Sequence, residues 1–226
     1  MLRCGAAARL RSAIHNTARL STMKPTADIS DDFAETRVLQ ANGLKDYGGV
    51  KLFFGTVATV DCFEDNTMAS KALDEPGNGR VLFVDGKGSL NCALFGDMMG
   101  AKVRFLYATF SCTLTAMRAQ AIKNGWSGVV INGAVRDVAQ LMDMKHGFCA
   151  YILFKKNPRA NPSESRLGVK ALGTCPKKSL KGSGNGKIGV PLNMLGLTAI
   201  VPGMYCVCAS LHSLWSLTRV PNIYAM

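Results

Sequence analysis

The sequence predicts a single α/β domain. Three observations predict it: short continuous apolar runs that stop at glycine, helical stretches lying between them, and a length of 226 residues with 48% hydrophobic content, room for one substantial core. No apolar run is long enough to cross a bilayer, so no membrane partner is expected.

Residues 1–27 hold Arg3, Arg9, Arg11, Arg19 and Lys24 with no acidic residue before Asp28, while Leu2, Ala6, Leu10, Ile14 and Ala18 recur every four positions. An Arg-rich, acid-free amphipathic helix followed by Ser21 and Thr22 reads as an organelle-targeting presequence. The expected destination is mitochondrial, with plastid as the alternative, and Met23 offers a start for a shorter cytoplasmic form. The segment is left out of the fold.

Asp28 to Asn42 reads as a short helix with Phe33, Val38 and Leu39 on one face, Ser30 or Asp31 as cap, and Gly43 as its end. The β-branched alternation from Phe54 to Phe63 predicts a strand entering the turn Glu64-Asp65-Asn66, and Thr67 to Asp74 suits a helix. Arg80 to Asp85 is a continuous apolar run stopped by Gly86 and Gly88, as expected of a strand buried on both faces. Gly128 to Asn132 is a second such strand, stopping at Gly133 and leading to Arg136-Asp137. Gly168 to Leu172 and Leu197 to Val201 have strand character, separated by a Gly, Ser and Lys-rich loop from Lys178 to Gly189.

Eight cysteines form no CxxC pair and no regular spacing, and three histidines stand in dissimilar contexts, so a Cys/His metal cluster is not expected and free thiols are. The string Gly125 to Asp137 carries more chemistry, because its strand delivers a guanidinium and a carboxylate to one loop. A guanidinium grips a carboxylate through two parallel hydrogen bonds, and a neighbouring carboxylate can hold a hard divalent cation through oxygen. A surface ion pair is the alternative for the same two residues. Gly96-Asp97-Met98-Met99-Gly100 looks like a helix start whose unpaired backbone N–H groups would bind an anion, or else an ordinary capped core helix. Asp85 and Glu64-Asp65 are acidic, but nothing in their spacing separates a functional role from turn capping.

FEDN at Phe63 to Asn66, GRVLFVDGKGS at Gly79 to Ser89, GDMM at Gly96 to Met99, GWSGVVINGAVRD at Gly125 to Asp137 and GVKALGTCPKKS at Gly168 to Ser179 occur in that order. Together they resemble the RraA-like family that includes the 4-hydroxy-4-methyl-2-oxoglutarate aldolases, over roughly residues 28–101, 120–146 and 167–205. The resemblance implies a layered β/β/α domain of swivelling-domain type, a ring-shaped homotrimer, and cleavage of 4-hydroxy-4-methyl-2-oxoglutarate to two pyruvates with oxaloacetate decarboxylation as a side activity. It implies that Gly96, Asp97, Met98 and Met99 line the substrate site, that Arg136 binds the pyruvyl carboxylate, that Asp137 holds a magnesium or manganese ion, and that Asp97 orients water at the metal. With a metal as electron sink no Schiff-base lysine is needed, so Lys177 and Lys178 read as polar contacts near the site or as solvated loop charges. Some relatives instead bind and inhibit a ribonuclease, and can lack the aspartate after the arginine. This sequence keeps Asp137, which favours the enzyme over the protein-binding regulator. No glycine motif supports a nucleoside-binding methyltransferase.

Three segments depart from the family pattern: 102–119, 147–166 and the tail 206–226. The presequence carries a formal +5, each of the two interruptions +3 and the tail +1, which accounts for the whole +12 and leaves the matching part neutral. Nucleic acid is therefore not expected as a partner. The segments read either as translated non-coding sequence or as true loops, and the rarity of long structureless insertions in compact domains favours the first. The tail is expected to leave a sheet position unfilled, with Leu211 to Val220 the stretch apolar enough to cover it. No acidic residue follows Glu164, so any that relatives supply from their C-terminal region is missing.

Overall fold

The computed structural model describes residues 26, 28, 31, 36–38, 43–103, 125–143, 168–209 and 216–218. The expected presequence up to residue 25, positions 104–119 and 147–166 of the interrupting segments, and the tail beyond 218 lie outside the described residues, as do all three histidines.

The elements are β1 (Arg37–Val38), β2 (Lys45–Asp46), β3 (Phe53–Asp61), α1 (Thr67–Asp74), β4 (Val81–Asp85), β5 (Ala93–Phe95), α2 (Asp97–Val103), β6 (Gly128–Val135), α3 (Val138–Asp143), β7 (Gly168–Thr174), β8 (Lys187–Ile188), β9 (Leu192–Met194), β10 (Leu197–Ile200), β11 (Tyr205–Cys208) and β12 (Ser216–Thr218). Among the described residues ten strands make one sheet in the order β1-β12-β11-β3-β4-β6-β7-β2, with β5 on β6 and β8 on β3. The centre is parallel, β3 to β4 to β6 to β7, and the margins are antiparallel. Every residue of β4 and β6 is buried, as a parallel strand covered on both faces requires.

Because side chains alternate across a strand, each central strand feeds two cores. Leu82, Val84, Val129, Ile131 and Val169 pack with Leu73 of α1, Leu141 of α3, Phe95 and Trp126. Val57, Val81, Phe83 and Val130 point the other way, onto Leu192, Met194 and Ile200 of the β9–β10 hairpin. Helices therefore cover one face of the sheet and a hairpin the other, the β/β/α layering expected. At about 1.5–3 kcal/mol for each large apolar side chain buried, these two clusters supply the main folding drive. At the β7 margin the buried Lys170 ammonium is paired with Asp46 of β2, so that charge is not left unsatisfied in the core.

Four expectations are corrected. The helix predicted over 28–42 does not extend through that span, for Arg37–Val38 is a strand on β12, a pairing that outweighs local helix preference. β6 does not stop at Gly133 but runs to Val135. A Cβ at Gly133 would stand 3.1 Å from Leu94, and the register against β7 shifts between Ile131 and Ala134, so this glycine serves a bulge and a close approach rather than a turn. The loop from Lys178 to Gly189 contains β8. Most consequentially, the tail leaves no gap beside β3. Tyr205–Cys208 pairs with β3, with Cys206 opposite Gly55, and β12 pairs with β11. Cys206, Val207 and Cys208 are buried, so the sheet continues past the boundary drawn at residue 205.

Phe53 illustrates how small residues place the strands. A Cβ on Gly128 or on Gly168, opposite one another in β6 and β7, would come within 2.3 Å of its ring. Replacing Gly128→Ala is expected to destabilise the fold by about 1–3 kcal/mol, since the ring has no room to retreat without overpacking. Urea melts of the two proteins would measure this, and equal midpoints would show that the ring relocates freely.

Candidate active site

The C-terminal ends of β3, β4 and β6 are locked together by a buried acid. Asp85, with 0% exposure, accepts hydrogen bonds at Oδ1 from Asn132 Nδ2 (2.7 Å) and the Lys87 backbone N–H (2.9 Å), and at Oδ2 from Lys87 Nζ (2.8 Å). Lys87 Nζ also reaches Asp61 Oδ1 at 2.8 Å, while the N–H groups of Gly86 and Gly88 donate to the Asn132 carbonyl at 3.0 and 3.1 Å. Burial works against the Lys87 charge, but the two carboxylates hold its pKa above the ordinary lysine value. Beside them, burial and then the Asp61 and Asp85 carboxylates push the Cys62 thiol up to about 12, so it is neutral and no nucleophile. Asp85, for which the sequence did not separate a functional role from turn capping, is thus the anchor of the strand ends.

Just beyond Asn132, β6 delivers Arg136 and Asp137. The Arg136 N–H donates to the Phe95 carbonyl at 2.9 Å, tying the end of β6 to β5. Asp137 has φ +56, a left-handed conformation uncommon outside glycine, and its carbonyl accepts the Leu141 N–H at 3.0 Å at the start of α3. In this position its Oδ2 lies 3.1 Å from Arg136 Nε and 3.4 Å from the Asp97 N–H. Gly96 makes the arrangement possible, because a Cβ there would stand 2.7 Å from Asp137 Oδ2 and 3.0 Å from Arg136 Cγ.

The N–H groups expected to be unpaired at the start of α2 have partners. Met98 N–H donates to Asp97 Oδ1 at 2.6 Å and Met99 N–H to the Gly96 carbonyl at 3.1 Å, with Asp97 N–H turned toward Asp137. Short side chains at a helix start commonly satisfy its orphan donors in this way. With these α2 donors engaged, Arg136 is the main anion-seeking group at this edge of the cleft.

A cleft of about 420 Å³ joins these residues. Gly96, Asp97, Met98, Met99 and Arg136 line it, whereas Asp137, paired with Arg136, does not. Met98 is exposed, and Met99 is buried with its Sδ 3.1 Å from Asn66 Nδ2. Apart from Lys178, the rest of the polar lining was not anticipated. Asn66, Thr67, Ser70 and Lys71 come from α1 and its cap, and Lys178, Ser179 and Lys181 from the lysine-rich loop. The signal for α1 was present in the sequence as polar residues at 67, 70 and 71, the i, i+3, i+4 spacing of one helix face. Lys178 meets the expectation of a contact near the site, but Lys177 does not line the cleft, and its carbonyl accepts the Ala93 N–H at 2.8 Å.

Asp65 fixes that loop. It is 3% exposed and accepts hydrogen bonds from Thr67 N–H (2.8 Å), Thr67 Oγ1 (2.5 Å), Ser183 N–H (2.7 Å) and Ser183 Oγ (2.6 Å). Burial alone would raise its pKa, but the Ser183 and Thr67 hydrogen bonds outweigh burial and bring it to about 2. The Glu64 carbonyl takes the Leu180 N–H at 3.0 Å, and the Glu64 carboxylate, held below its ordinary range by Ser89 and Asn91, braces the turn after β4.

Among the described residues no group of three His, Cys, Asp or Glu side chains could enclose a metal. The acidic donors at the site are Asp97 and Asp137, linked through the Asp97 backbone N–H, which is directed at Asp137 Oδ2. That donor set fits a hard divalent cation, which binds one or two carboxylates and completes its shell with water and substrate oxygens, rather than a zinc cage.

Two outcomes are expected from this geometry. Gly96→Ala must push Asp137 and Arg136 apart by a few tenths of an ångström, so ligand affinity or turnover should fall by about 10–100-fold with the melting temperature shifted by only a few degrees. Calorimetric titration and thermal melts would separate the two. For Asp65, a folded pKa below the ordinary aspartate value of 3.8 means that its stabilisation is full above that value and is lost as pH falls through about 2. Urea melts between pH 4 and 2 should show wild type losing on the order of 1 kcal/mol more than Asp65→Asn, a figure reduced for solvent screening.

Comparison with known proteins places this geometry in a family. The RraA-like description (Aldolase/RraA) matches residues 26–105 and 112–165, more than half of the chain, and the second stretch overlaps both segments taken from sequence as interruptions. A protein of Alkalilimnicola ehrlichii provisionally named a 4-hydroxy-4-methyl-2-oxoglutarate aldolase is 38% identical over 174 residues, covering 77% of this chain and 83% of that one. Among solved structures, the RNA-processing inhibitor RraA from Thermus thermophilis superposes with TM-score 0.64 at 33% identity, covering 89% of this chain and 96% of that one. A Geobacillus kaustophilus structure titled S-adenosylmethionine: 2-dimethylmenaquinone methyltransferase has TM-score 0.63 at 32% identity, covering 88% and 98%. With its motifs in order, its layers matching and its sequence aligned over most of its length, the chain belongs to the RraA-like family.

Proposed function

We propose that the protein is a divalent-metal-dependent carbon–carbon lyase that cleaves 4-hydroxy-4-methyl-2-oxoglutarate to two pyruvates, with oxaloacetate decarboxylation as a side activity. The observation that carries this reading is the Arg136 guanidinium beside the Asp137 carboxylate, with the Asp97 N–H turned to that same carboxylate, at the edge of a cleft whose lining includes Lys71, Lys178 and Lys181. The provisional aldolase name of the Alkalilimnicola relative supports it.

In this mechanism Arg136 holds the carboxylate next to the keto group, and the planar fork fixes the keto acid's orientation. Asp137 and Asp97 would hold magnesium or manganese through oxygen. When bound, the cation supplies the electron sink that both reactions need as a carbon–carbon bond breaks. Asp97, with Oδ1 engaged by Met98 N–H, has its second oxygen to orient water and to take the proton of the substrate's C4 hydroxyl. Lys178, on the cleft lining beside β5, adds to the attraction for the carboxylate that Arg136 holds. By family likeness the working form is a homotrimer, delivered to mitochondria by its basic N-terminal segment.

A second reading is a protein-binding regulator of a ribonuclease, favoured by the inhibitor title of the Thermus structure. Pyruvate release from 4-hydroxy-4-methyl-2-oxoglutarate, with and without magnesium, decides between them. The expected result is metal-dependent turnover that falls by about 10²-fold or more in Asp137→Ala. A folded protein that is silent with either metal would give the regulator the better case.

A further inference from the structure

The lysines of the cleft are unequally placed. Lys178 is bridged to Ala93 of β5, the strand whose Phe95 receives the Arg136 N–H, so it stands on the Arg136 side. Lys71 projects from α1, and Lys181 precedes Gly182, whose N–H donates to Thr67 Oγ1 at 3.0 Å at the start of the same helix. These two therefore share the α1 wall. Among the described residues neither forms an ion pair, although both line one concave site and their like charges repel.

The loop that carries Lys181 is otherwise built for freedom, with Gly182, Gly184 and Gly186 close together. It is nonetheless stitched down by the two Ser183 hydrogen bonds to Asp65, by the Leu180 N–H on the Glu64 carbonyl and by the Gly182 N–H on Thr67 Oγ1. Pinning a lysine-bearing loop beside a second lysine makes sense if an anion is to be received between them, for a fixed pair of ammonium groups loses less entropy on binding than two free ones.

We infer that Lys71 and Lys181 form a second anion pole, on the α1 wall, that binds the carboxylate remote from the keto group and so selects 2-keto dicarboxylates over 2-keto monocarboxylates. The inference rests on the keto-acid reading given above and assigns the specificity within it. Arg136 holds the end that reacts. Lys71 and Lys181 hold the end that does not, and Asp65 is the positioning residue for Lys181.

Calorimetric titration of the full chain in magnesium with pyruvate and with 2-oxoglutarate tests this. In Lys71→Met/Lys181→Met, 2-oxoglutarate should weaken by about tenfold or more while pyruvate changes less than about twofold, and Lys71→Arg/Lys181→Arg should restore the difference. For 4-hydroxy-4-methyl-2-oxoglutarate the same Met variant should raise KM with kcat within about twofold. Equal weakening of both ligands, or no change for 2-oxoglutarate, overturns the second pole alone. Arg136→Met should abolish pyruvate binding, and retention of it would overturn the underlying keto-acid reading instead.

Discussion

A carboxylate sealed inside the sheet edge sets the terms for everything around it. Asp85 has no exposure, and an unpaired charge there would cost several kcal/mol, so its three donors are a condition of folding rather than an ornament. Those donors come from β6 and from the turn after β4, and Lys87 carries the connection on to Asp61 of β3. Three strand ends are thereby fixed in mutual register. Arg136 and Asp137 follow directly on the end of the strand that holds Asn132, so the placement of this edge of the cleft follows from a network that does not line it.

The site itself is held in a self-satisfied state. Asp97 occupies its own helix start, Asp137 leans on Arg136, and Gly96 leaves just enough space for that contact. On the function proposed above, a ligand carboxylate at Arg136 would compete with Asp137, and a cation at Asp137 would relieve that competition by drawing the carboxylate's charge to itself. The two would then favour each other electrostatically, because each would free the partner the other needs. The left-handed backbone of Asp137 is consistent with a residue held in place by its surroundings for such an exchange.

The layers of the fold were legible because parallel strands announce themselves as unbroken apolar runs, as in Val81–Asp85, and because the helix at Thr67–Asp74 has both its polar face and its stop signals. Arg136, Asp137 and the GDMM turn were legible through spacing and family likeness. What escaped was non-local. Nothing near Arg37 indicates a strand, since its partner is Leu217; nothing near Gly133 separates a bulge from a turn; and the pairing of the α2 donors depends on side-chain conformation. The lysine wall escaped for the same reason: Lys71 and Lys181 line one cleft because bonds such as that of Ser183 to Asp65 join segments 118 positions apart. The misread tail shows the limit most sharply, for a departure from a family's sequence at Cys206–Cys208 still supplies buried, strand-competent residues.

The pairing of β1 with β12 has a kinetic side. Arg37 and Leu217 come from opposite ends of the described chain, and β12 in turn reaches the central strands only through β11. Contacts of such high order form late, because a long loop must close before they return any energy. Until then the outer edge of β3 lacks its β11 partner and offers open backbone to any neighbouring chain. A nascent molecule must therefore pass through an interval in which its parallel centre is complete while its flank is still sticky, and the length of that interval is governed by how quickly the last strands arrive.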